Sequence, residues 1–172
     1  MSALTYEELL TTVYSEIPPR RRAGIYTVEN EPVSLFKKVA CECKYRPYQP
    51  WLWRNNQKIT AVVELEATQK ARIVRPHQPN HLEDQLRTDR VSVIDIRPHR
   101  KYGGIWENDK ISDPHNYFDC QCSSMVRYYD PVSYRIGATV TPKLPLNTDL
   151  HTVGGSGIHV FLDYEQAKNY TI

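Results

Sequence analysis

Hydrophobic and polar residues alternate in short runs along much of this chain, a pattern that is typical of β-strands with one buried face. Three such runs lie at residues 33–41, 58–66 and 90–97, where the sequence reads VSLFKKVAC, KITAVVELE and RVSVIDIR. Each run is β-branched or alternating and is bounded by proline, asparagine or charged residues, so each predicts a strand. Residues 123–142 predict a hairpin with its turn at Asp130 and Pro131.

At the amino-terminal end, hydrophobic residues recur at every third or fourth position, which is the spacing of one helix face. These residues are Tyr6, Leu9, Leu10, Val13 and Ile17. Thr5 and Glu8 fit a capping box that begins the helix, and Pro18 with Pro19 ends it. Residues 18–32 are rich in proline and charge and show little periodicity, so we predict an extended arm there.

The last stretch of the chain, GGSGIHVFLDYEQAKNY at residues 154–170, predicts a loop, a strand and a helix. Glycines admit backbone conformations that are closed to other residues, and the apolar run after them predicts a short strand. Asp163 can accept hydrogen bonds from first-turn amides, and Gln166 occupies the third helical position of a capping box. We therefore predict that a helix follows Asp163.

Together these elements predict an α+β fold: a mainly antiparallel β body with an amino-terminal helix and arm and a carboxy-terminal helix. We divide the 172 residues into a helix and tethering arm at 1–32 and a single β-rich domain at 33–172. A chain of this length buries about two-thirds of its unfolded surface, so its core requires neither a metal nor disulfides. No apolar run approaches the roughly 20 residues that cross a bilayer, so we predict no membrane span.

The charge balance argues against a protein specialised for nucleic acid. Lysine and arginine total 22 against 20 aspartate and glutamate residues, so the field of the whole protein is weak. Arg20, Arg21 and Arg22 form a local basic cluster that could contact phosphate or an acidic protein surface. Three adjacent arginines are also common on ordinary solvated arms.

Two motifs in the carboxy-terminal half carry a family resemblance. A hairpin pattern is matched by Tyr134, Ile136, Gly137, Val140 and Pro142. A glycine, strand and helix pattern is matched by Gly157, Ile158, His159, Phe161, Ala167 and Tyr170. From about Val33 to Tyr170 the order of signals resembles a domain of unknown function of large eukaryotic double-stranded DNA viruses, often found beside pentapeptide repeats, which this chain lacks. That family has no established reaction, so the resemblance implies origin and architecture.

A stand-alone member of such a family with a tethered helix resembles a virion component that binds its neighbours. We therefore expect a viral structural protein, a minor capsid component that tethers subunits, located in the virion and in the host cytoplasm during assembly. The expected partners are other viral structural proteins, foremost the major capsid protein. The expected partner-binding residues are Tyr6, Leu9, Leu10, Val13, Arg20, Arg21 and Arg22. A host-directed binding protein would give the same signals and is the alternative.

The four cysteines occur as Cys41-Glu42-Cys43 and Cys120-Gln121-Cys122. Residues two apart in a strand share a face, so each pair presents two thiols together, and two pairs could surround a tetrahedral zinc ion. We favour reduced cysteines packed as small hydrophobic residues. Zinc is the second interpretation, and disulfides across strands or between subunits are the third. Apart from this zinc site we expect no cofactor.

The histidines give weaker signals. His77 and His81 have the spacing of a helical metal site, but Pro79 between them disfavours a regular helix. His159 lies in the middle of a predicted strand, and we favour a structural role for it because no partner for base chemistry is visible.

One enzyme class remains an alternative. The GIHVF strand followed by Ala167 and Tyr170 resembles an element of ADP-ribosyltransferases that helps to hold a nicotinamide nucleotide. Those enzymes need further strands after this element, often with a catalytic glutamate, and Glu165 cannot be given that role by its motif. We therefore expect a protein that is not an enzyme, with a degenerate transferase as the lesser alternative.

Overall fold

A computed structural model describes residues 23–45, 57–77, 85–98, 118–124, 132–152 and 155–170. Within these ranges the chain forms ten strands and one helix. In chain order they are β1 (Gly24–Thr27), β2 (Val33–Tyr45), β3 (Gln57–Ala67), β4 (Arg72–Arg75), β5 (Leu86–Thr88), β6 (Val91–Pro98), β7 (Phe118–Ser124), β8 (Ser133–Tyr134), β9 (Thr139–Val140), β10 (Ile158–Val160) and α1 (Tyr164–Asn169).

The strands form two antiparallel sheets. The larger sheet has the order β8-β7-β2-β3-β6-β9, and the smaller has the order β1-β4-β5-β10. The longest ladder joins β2 to β3 and runs from Val33 opposite Ala67 to Cys43 opposite Gln57. β-Branched residues suit the pleated, half-buried surface of such a ladder, which explains why these two alternating segments pair.

Three chain segments run through both sheets, so the sheets are two parts of one bent structure. These segments cross from one sheet to the other between β1 and β2, between β3 and β4, and between β5 and β6, and a longer connection from β9 to β10 crosses a fourth time. At the bend, the Val28 amide donates to the Ala71 carbonyl at 2.9 Å, and the Lys70 amide donates to the Val28 carbonyl at 2.8 Å. Lys70 adopts a φ of 75°, which belongs to the left-handed region found in tight turns. Hydrogen bonding therefore continues through the bend.

The inward faces of the two sheets share one hydrophobic core. Alternate residues of β2 are buried in it, namely Val33, Leu35, Val39, Cys41 and Cys43. Tyr26 from β1 and Tyr134 from β8 belong to the same core. Burying one Val or Leu side chain contributes about 1.5–3 kcal/mol, so this shared face is the main force that holds the sheets together.

The last part of the chain covers the outward faces of both sheets. α1 packs on the larger sheet, where Phe36, Val62, Phe161 and Ala167 belong to a second hydrophobic cluster. On the smaller sheet, Leu146 and Leu150 bury the side chain of Val74. Both sheets are thus covered by residues from the carboxy-terminal stretch.

The prediction of an α+β fold is wrong. In the described ranges the only helix has six residues, whereas strands make up most of the ordered backbone, so the architecture is all-β. The prediction gave a short terminal helix the weight of a structural layer, because local periodicity does not show that the strands combine into two sheets around one core. The mainly antiparallel β body itself is confirmed, as are the three predicted strands and the carboxy-terminal helix.

The structure agrees with two other predictions in part. The predicted arm at 18–32 contains β1, and Tyr26 and Val28 from this stretch are buried in the core. The predicted hairpin is present as the β7–β8 pair, but the chain then turns near Gly137 and β9 pairs with β6. The predicted helix at 5–17 and the turn at Asp130 and Pro131 lie outside the described residues.

Candidate functional site

The four cysteines form two disulfides side by side across β2 and β7. Cys41 is bonded to Cys122 and Cys43 to Cys120, and the Cα atoms of each pair lie 4.0 Å apart. The register explains the pairing, because each cysteine of β2 lies directly opposite its partner on β7. Since residues two apart share a face, both bonds point into the core. We call this pair of bonds the disulfide ladder and each bond a rung.

The disulfide ladder is buried. The exposed fractions of its members are 3% for Cys41, 1% for Cys43, 8% for Cys120 and 2% for Cys122. Tyr134 of β8 lies opposite Cys122 and is fully buried, and this desolvation raises the pKa of its hydroxyl to about 12. The rungs therefore belong to the core of the fold.

This arrangement corrects the favoured interpretation of four reduced cysteines, since none of the four is a free thiol. The third interpretation, disulfides across strands, is the one observed. The two Cys-x-Cys motifs indicated a shared face, but the sequence could not show that β2 and β7 pair in register across 77 and 81 residues. Zinc binds thiolates, so the zinc site at these cysteines stays a prediction for the reduced chain.

A second group of polar residues lies where β10 separates from β2. The two strands exchange a pair of backbone hydrogen bonds between Phe36 and Phe161, each at 2.8 Å. One step further, the Nζ of Lys37 donates to the carbonyl oxygen of His159 at 2.9 Å. Lys37 shares the inward face of β2 with Leu35 and Val39, so desolvation lowers the pKa of its amine to about 8.

The ring of His159 is held by the glycine-rich loop. Its Nε2 lies 2.7 Å from the carbonyl oxygen of Gly155, and a ring N–H must donate in this pair because a carbonyl only accepts. Desolvation, and secondarily the nearby charge of Lys37, lowers the pKa of His159 to about 4. The ring is therefore neutral at pH 7 with its proton on Nε2, which is the geometry of a structural histidine.

The guanidinium of Arg87 donates three hydrogen bonds to the loop that crosses the smaller sheet. Its Nε donates to the carbonyl of Asn147 at 2.6 Å, its Nη1 to that of Thr152 at 2.7 Å, and its Nη2 to that of Asp149 at 2.5 Å. The side chain is 1% exposed, and this desolvation lowers its pKa while the charge of Asp149 opposes the shift. A guanidinium offers donors in a fixed planar fork, which suits three converging carbonyls. Sequence reasoning missed this residue because the polar stretch around Leu86–Thr88 indicates an exposed loop, whereas the structure places a buried strand there.

The glycine motif is explained by close approach rather than by ligand binding. Gly157 has a φ of 136°, and a Cβ there would lie 2.8 Å from Cδ1 of Leu146 and 3.2 Å from Cβ of Arg87. A Cβ at Gly155 would lie 2.7 Å from Nδ2 of Asn147. The predicted cap is confirmed, since the Asp163 carboxylate accepts from the amide of Glu165 at 3.1 Å.

The remaining predicted site residues divide into two groups. His77 follows β4 and its ring stacks on that of His151 with centroids 5.1 Å apart, whereas His81 lies outside the described residues. All the predicted partner-binding residues also lie outside them: Tyr6, Leu9, Leu10, Val13, Arg20, Arg21 and Arg22. Within the described ranges, no three His, Cys, Asp or Glu side chains are grouped so as to hold a metal ion.

In chemical terms, the buried cations of this region serve backbone carbonyls. Lys37 and Arg87 both donate to main-chain oxygens, and the His159 ring does the same. Such contacts fix strands and loops, while the reaction available to the disulfide ladder is thiol–disulfide exchange. No helix in the described ranges is both long and apolar enough to span a bilayer.

These features define a disulfide-bridged antiparallel β protein with two sheets around one core. The chain is 30% identical over 160 residues to the uncharacterized protein L223 of Acanthamoeba polyphaga mimivirus. The aligned region covers 88% of this chain and 90% of L223. The chain belongs to the same protein family as L223. It is also 26% identical over 162 residues to the uncharacterized protein L227 of the same virus, covering 91% of this chain and 88% of that protein.

Both relatives are proteins of a large DNA virus, so the viral origin implied by the resemblance is confirmed. The association with pentapeptide repeats stays a prediction. No known family profile matches the chain, and no solved structure matches it.

Proposed function

We propose that the protein is a structural component of the virus particle that binds other viral proteins. The buried disulfide ladder is the observation that carries this proposal. Disulfides persist in oxidising surroundings and are rare in the reducing cytosol. A particle outside the host cell offers oxidising surroundings, and the relatives come from a virus.

The proposed way of binding uses the amino-terminal residues as a tether. β1 pairs with β4 from Gly24 onward, so the body anchors the chain directly after the arginine cluster Arg20 to Arg22. A segment ahead of an anchored strand can reach a neighbour and add contacts without building another core. We propose viral structural proteins as its partners, foremost the major capsid protein.

A binding role is preferred to a catalytic one because of how three buried polar side chains are used. The amine of Lys37, the ring of His159 and the guanidinium of Arg87 are each engaged by main-chain carbonyls. A catalytic base or nucleophile needs a reacting group within hydrogen-bond reach, and these contacts direct the three groups to the protein's own backbone.

The first experiment is quantitative mass spectrometry of purified particles of the encoding virus, with peptides prepared without reductant. We expect the protein in the particle, with peptides joined through Cys41–Cys122 and Cys43–Cys120. Absence from the particle, with the protein found only in infected-cell extract, would contradict the proposal and favour the host-directed alternative.

The second experiment tests the tether with a truncation that removes residues 1–22 and keeps β1. We expect this protein to fold and to be lost from particles. Leu9→Glu combined with Val13→Glu should have the same effect in the full chain, whereas Ser34→Glu at an exposed position of β2 should not. Normal incorporation of the truncated protein into particles would contradict the tether. It would not contradict a role in the particle, which the first experiment tests.

A further inference from the structure

Both rungs of the disulfide ladder lie at a single strand boundary. They join β2 to β7, and β7 pairs with β8 on its other side. In the described part of the chain, β8 has β7 as its one partner strand. The β7–β8 pair is therefore tied into the larger sheet through the β2–β7 ladder, which makes it a unit that can open separately.

As long-range cross-links, the two rungs are largely redundant. Cys43–Cys120 closes a loop with a sequence separation of 77 residues. Once it is formed, Cys41–Cys122 closes only the small ring between the rungs, which restricts the unfolded chain much less. The second rung mainly adds another covalent lock at the same boundary.

The two rungs are not equally accessible. Cys122 lies opposite the fully buried Tyr134 in the β7–β8 register. Cys120 lies two residues away from that pairing and is 8% exposed, whereas its bonding partner Cys43 is 1% exposed, Cys122 2% and Cys41 3%. Exchange requires a thiolate to reach a sulfur atom, so Cys120 is the most accessible point of attack.

We propose that the disulfide ladder is a redox latch that a dithiol reductant opens in a fixed order, Cys43–Cys120 first and Cys41–Cys122 second. Opening of the second rung leaves β7 joined to β2 by backbone hydrogen bonds and packing without a covalent link, so the β7–β8 pair can then open as a unit. The backbone edge of β2 from Val39 to Tyr45 then loses its partner strand, and an unpaired edge is a template for another strand. This inference concerns the chemistry of the chain itself and stands whether or not the protein is a particle component.

The exchange balances at each rung. One thiolate of the reductant attacks a cysteine sulfur, forms a mixed disulfide and displaces the other cysteine as a thiolate. The second thiol of the reductant then attacks the mixed disulfide, closes its own disulfide and releases the first cysteine. Two electrons pass from the reductant to the rung, and the two protons of the dithiol end on the cysteines.

The test treats the full chain under native conditions with increasing dithiothreitol, followed by alkylation and peptide mass spectrometry. We expect Cys43 and Cys120 to be alkylated before Cys41 and Cys122. Amide hydrogen exchange at 39–45 and 118–124 should accelerate only after the second rung opens, while the β3–β6 ladder stays protected. Simultaneous or reversed reduction of the two rungs would contradict the proposed order. Faster amide hydrogen exchange across the whole sheet on reduction would contradict the proposal that the β7–β8 pair opens separately.

Two paired variants provide a matched comparison. Cys41→Ala with Cys122→Ala keeps the accessible rung, and Cys43→Ala with Cys120→Ala keeps the covered rung. We expect the first variant to be reduced several-fold faster than the second, and equal rates would contradict the proposed order. Should either variant fail to fold, the alkylation order in the unaltered chain still decides.

Discussion

The amine of Lys37 and the carbonyl of His159, 2.9 Å apart, mark the point where the larger and smaller sheets separate. Beyond the Phe36–Phe161 bridge the lysine side chain supplies the hydrogen bond that this carbonyl receives. The ammonium group of Lys37 thus donates a hydrogen bond to the backbone at the boundary between two strands. The arrangement avoids a buried carbonyl without a partner, but it places a charge at the core.

Stability should rise with pH as the charge on Lys37 is removed. The pKa of Lys37 is about 8 in the folded chain against 10.5 when exposed, so the unfolded state binds more protons between these values. We expect up to about 3 kcal/mol of added stability over this window. Above pH 10 the raised pKa of Tyr134 acts in the opposite direction, because the unfolded state then loses its proton first.

Urea denaturation at pH 7.5, 8.5 and 9.5 measures this effect. Lys37→Met should flatten the rise, whereas Lys58→Met, at an exposed position of β3, should leave it unchanged. An identical pH profile in the Lys37→Met protein would show that this amine does not carry the dependence.

His159 predicts a loss of stability in acid. Its pKa is about 4 in the folded chain against 6.5 when exposed, so the unfolded state takes up a proton first as the pH falls. We expect up to about 3 kcal/mol to be lost between pH 6.5 and 4. His159→Gln keeps a donor for the Gly155 carbonyl and should remove this component, while His151→Gln at an exposed position should not. Thermal unfolding at pH 7, 5.5 and 4 gives the comparison.

Arg87→Met should destabilise the loop that covers the smaller sheet. The substitution leaves the carbonyls of Asn147, Asp149 and Thr152 without their shared donor, and we expect a loss of about 3–5 kcal/mol. Hydrogen exchange should rise first at residues 146–152 and 155–157. Arg72→Met provides the control, because its ion pair with Asp89 is exposed and contributes about 1 kcal/mol or less. Equal losses in the two proteins would contradict the role given to Arg87.

The losses of stability caused by removing the two rungs of the disulfide ladder should not be additive. Either rung alone still closes the long loop, so each paired Cys→Ala variant should lose only about 2 kcal/mol, the value for a ring of roughly six residues. The variant without any cysteine should lose about 6–7 kcal/mol, because the long loop contributes about 4.5 kcal/mol. Urea midpoints of the three proteins under oxidising conditions test this. If the protein without any cysteine loses only twice the stability that a paired variant loses, the prediction is contradicted.

The alternating pattern was sufficient to predict the strands at the centre of the larger sheet, and the capping motif was sufficient to predict the cap at Asp163. The alternating pattern also held a signal for Lys37, since Leu35, Lys37 and Val39 share one face and the lysine interrupts an apolar series. The bends between β1 and β2 and between β3 and β4 were not predictable, because they depend on partners from distant segments. The same reason hid the pairing of Cys41 with Cys122 and the three carbonyls around Arg87.

The carboxy-terminal cover of both sheets has a consequence for synthesis. Ribosomes deliver the strands from β1 to β6 well before residues 144–170, so Val62 and Val74 emerge without the side chains that later bury them. Nascent chains would therefore carry two apolar outer faces until residues 144–170 have been made, and such surfaces promote aggregation and chaperone binding. Synthesis of the segment that carries Leu146, Leu150, Phe161 and Ala167, rather than pairing of the earlier strands, is therefore the step that covers these two faces.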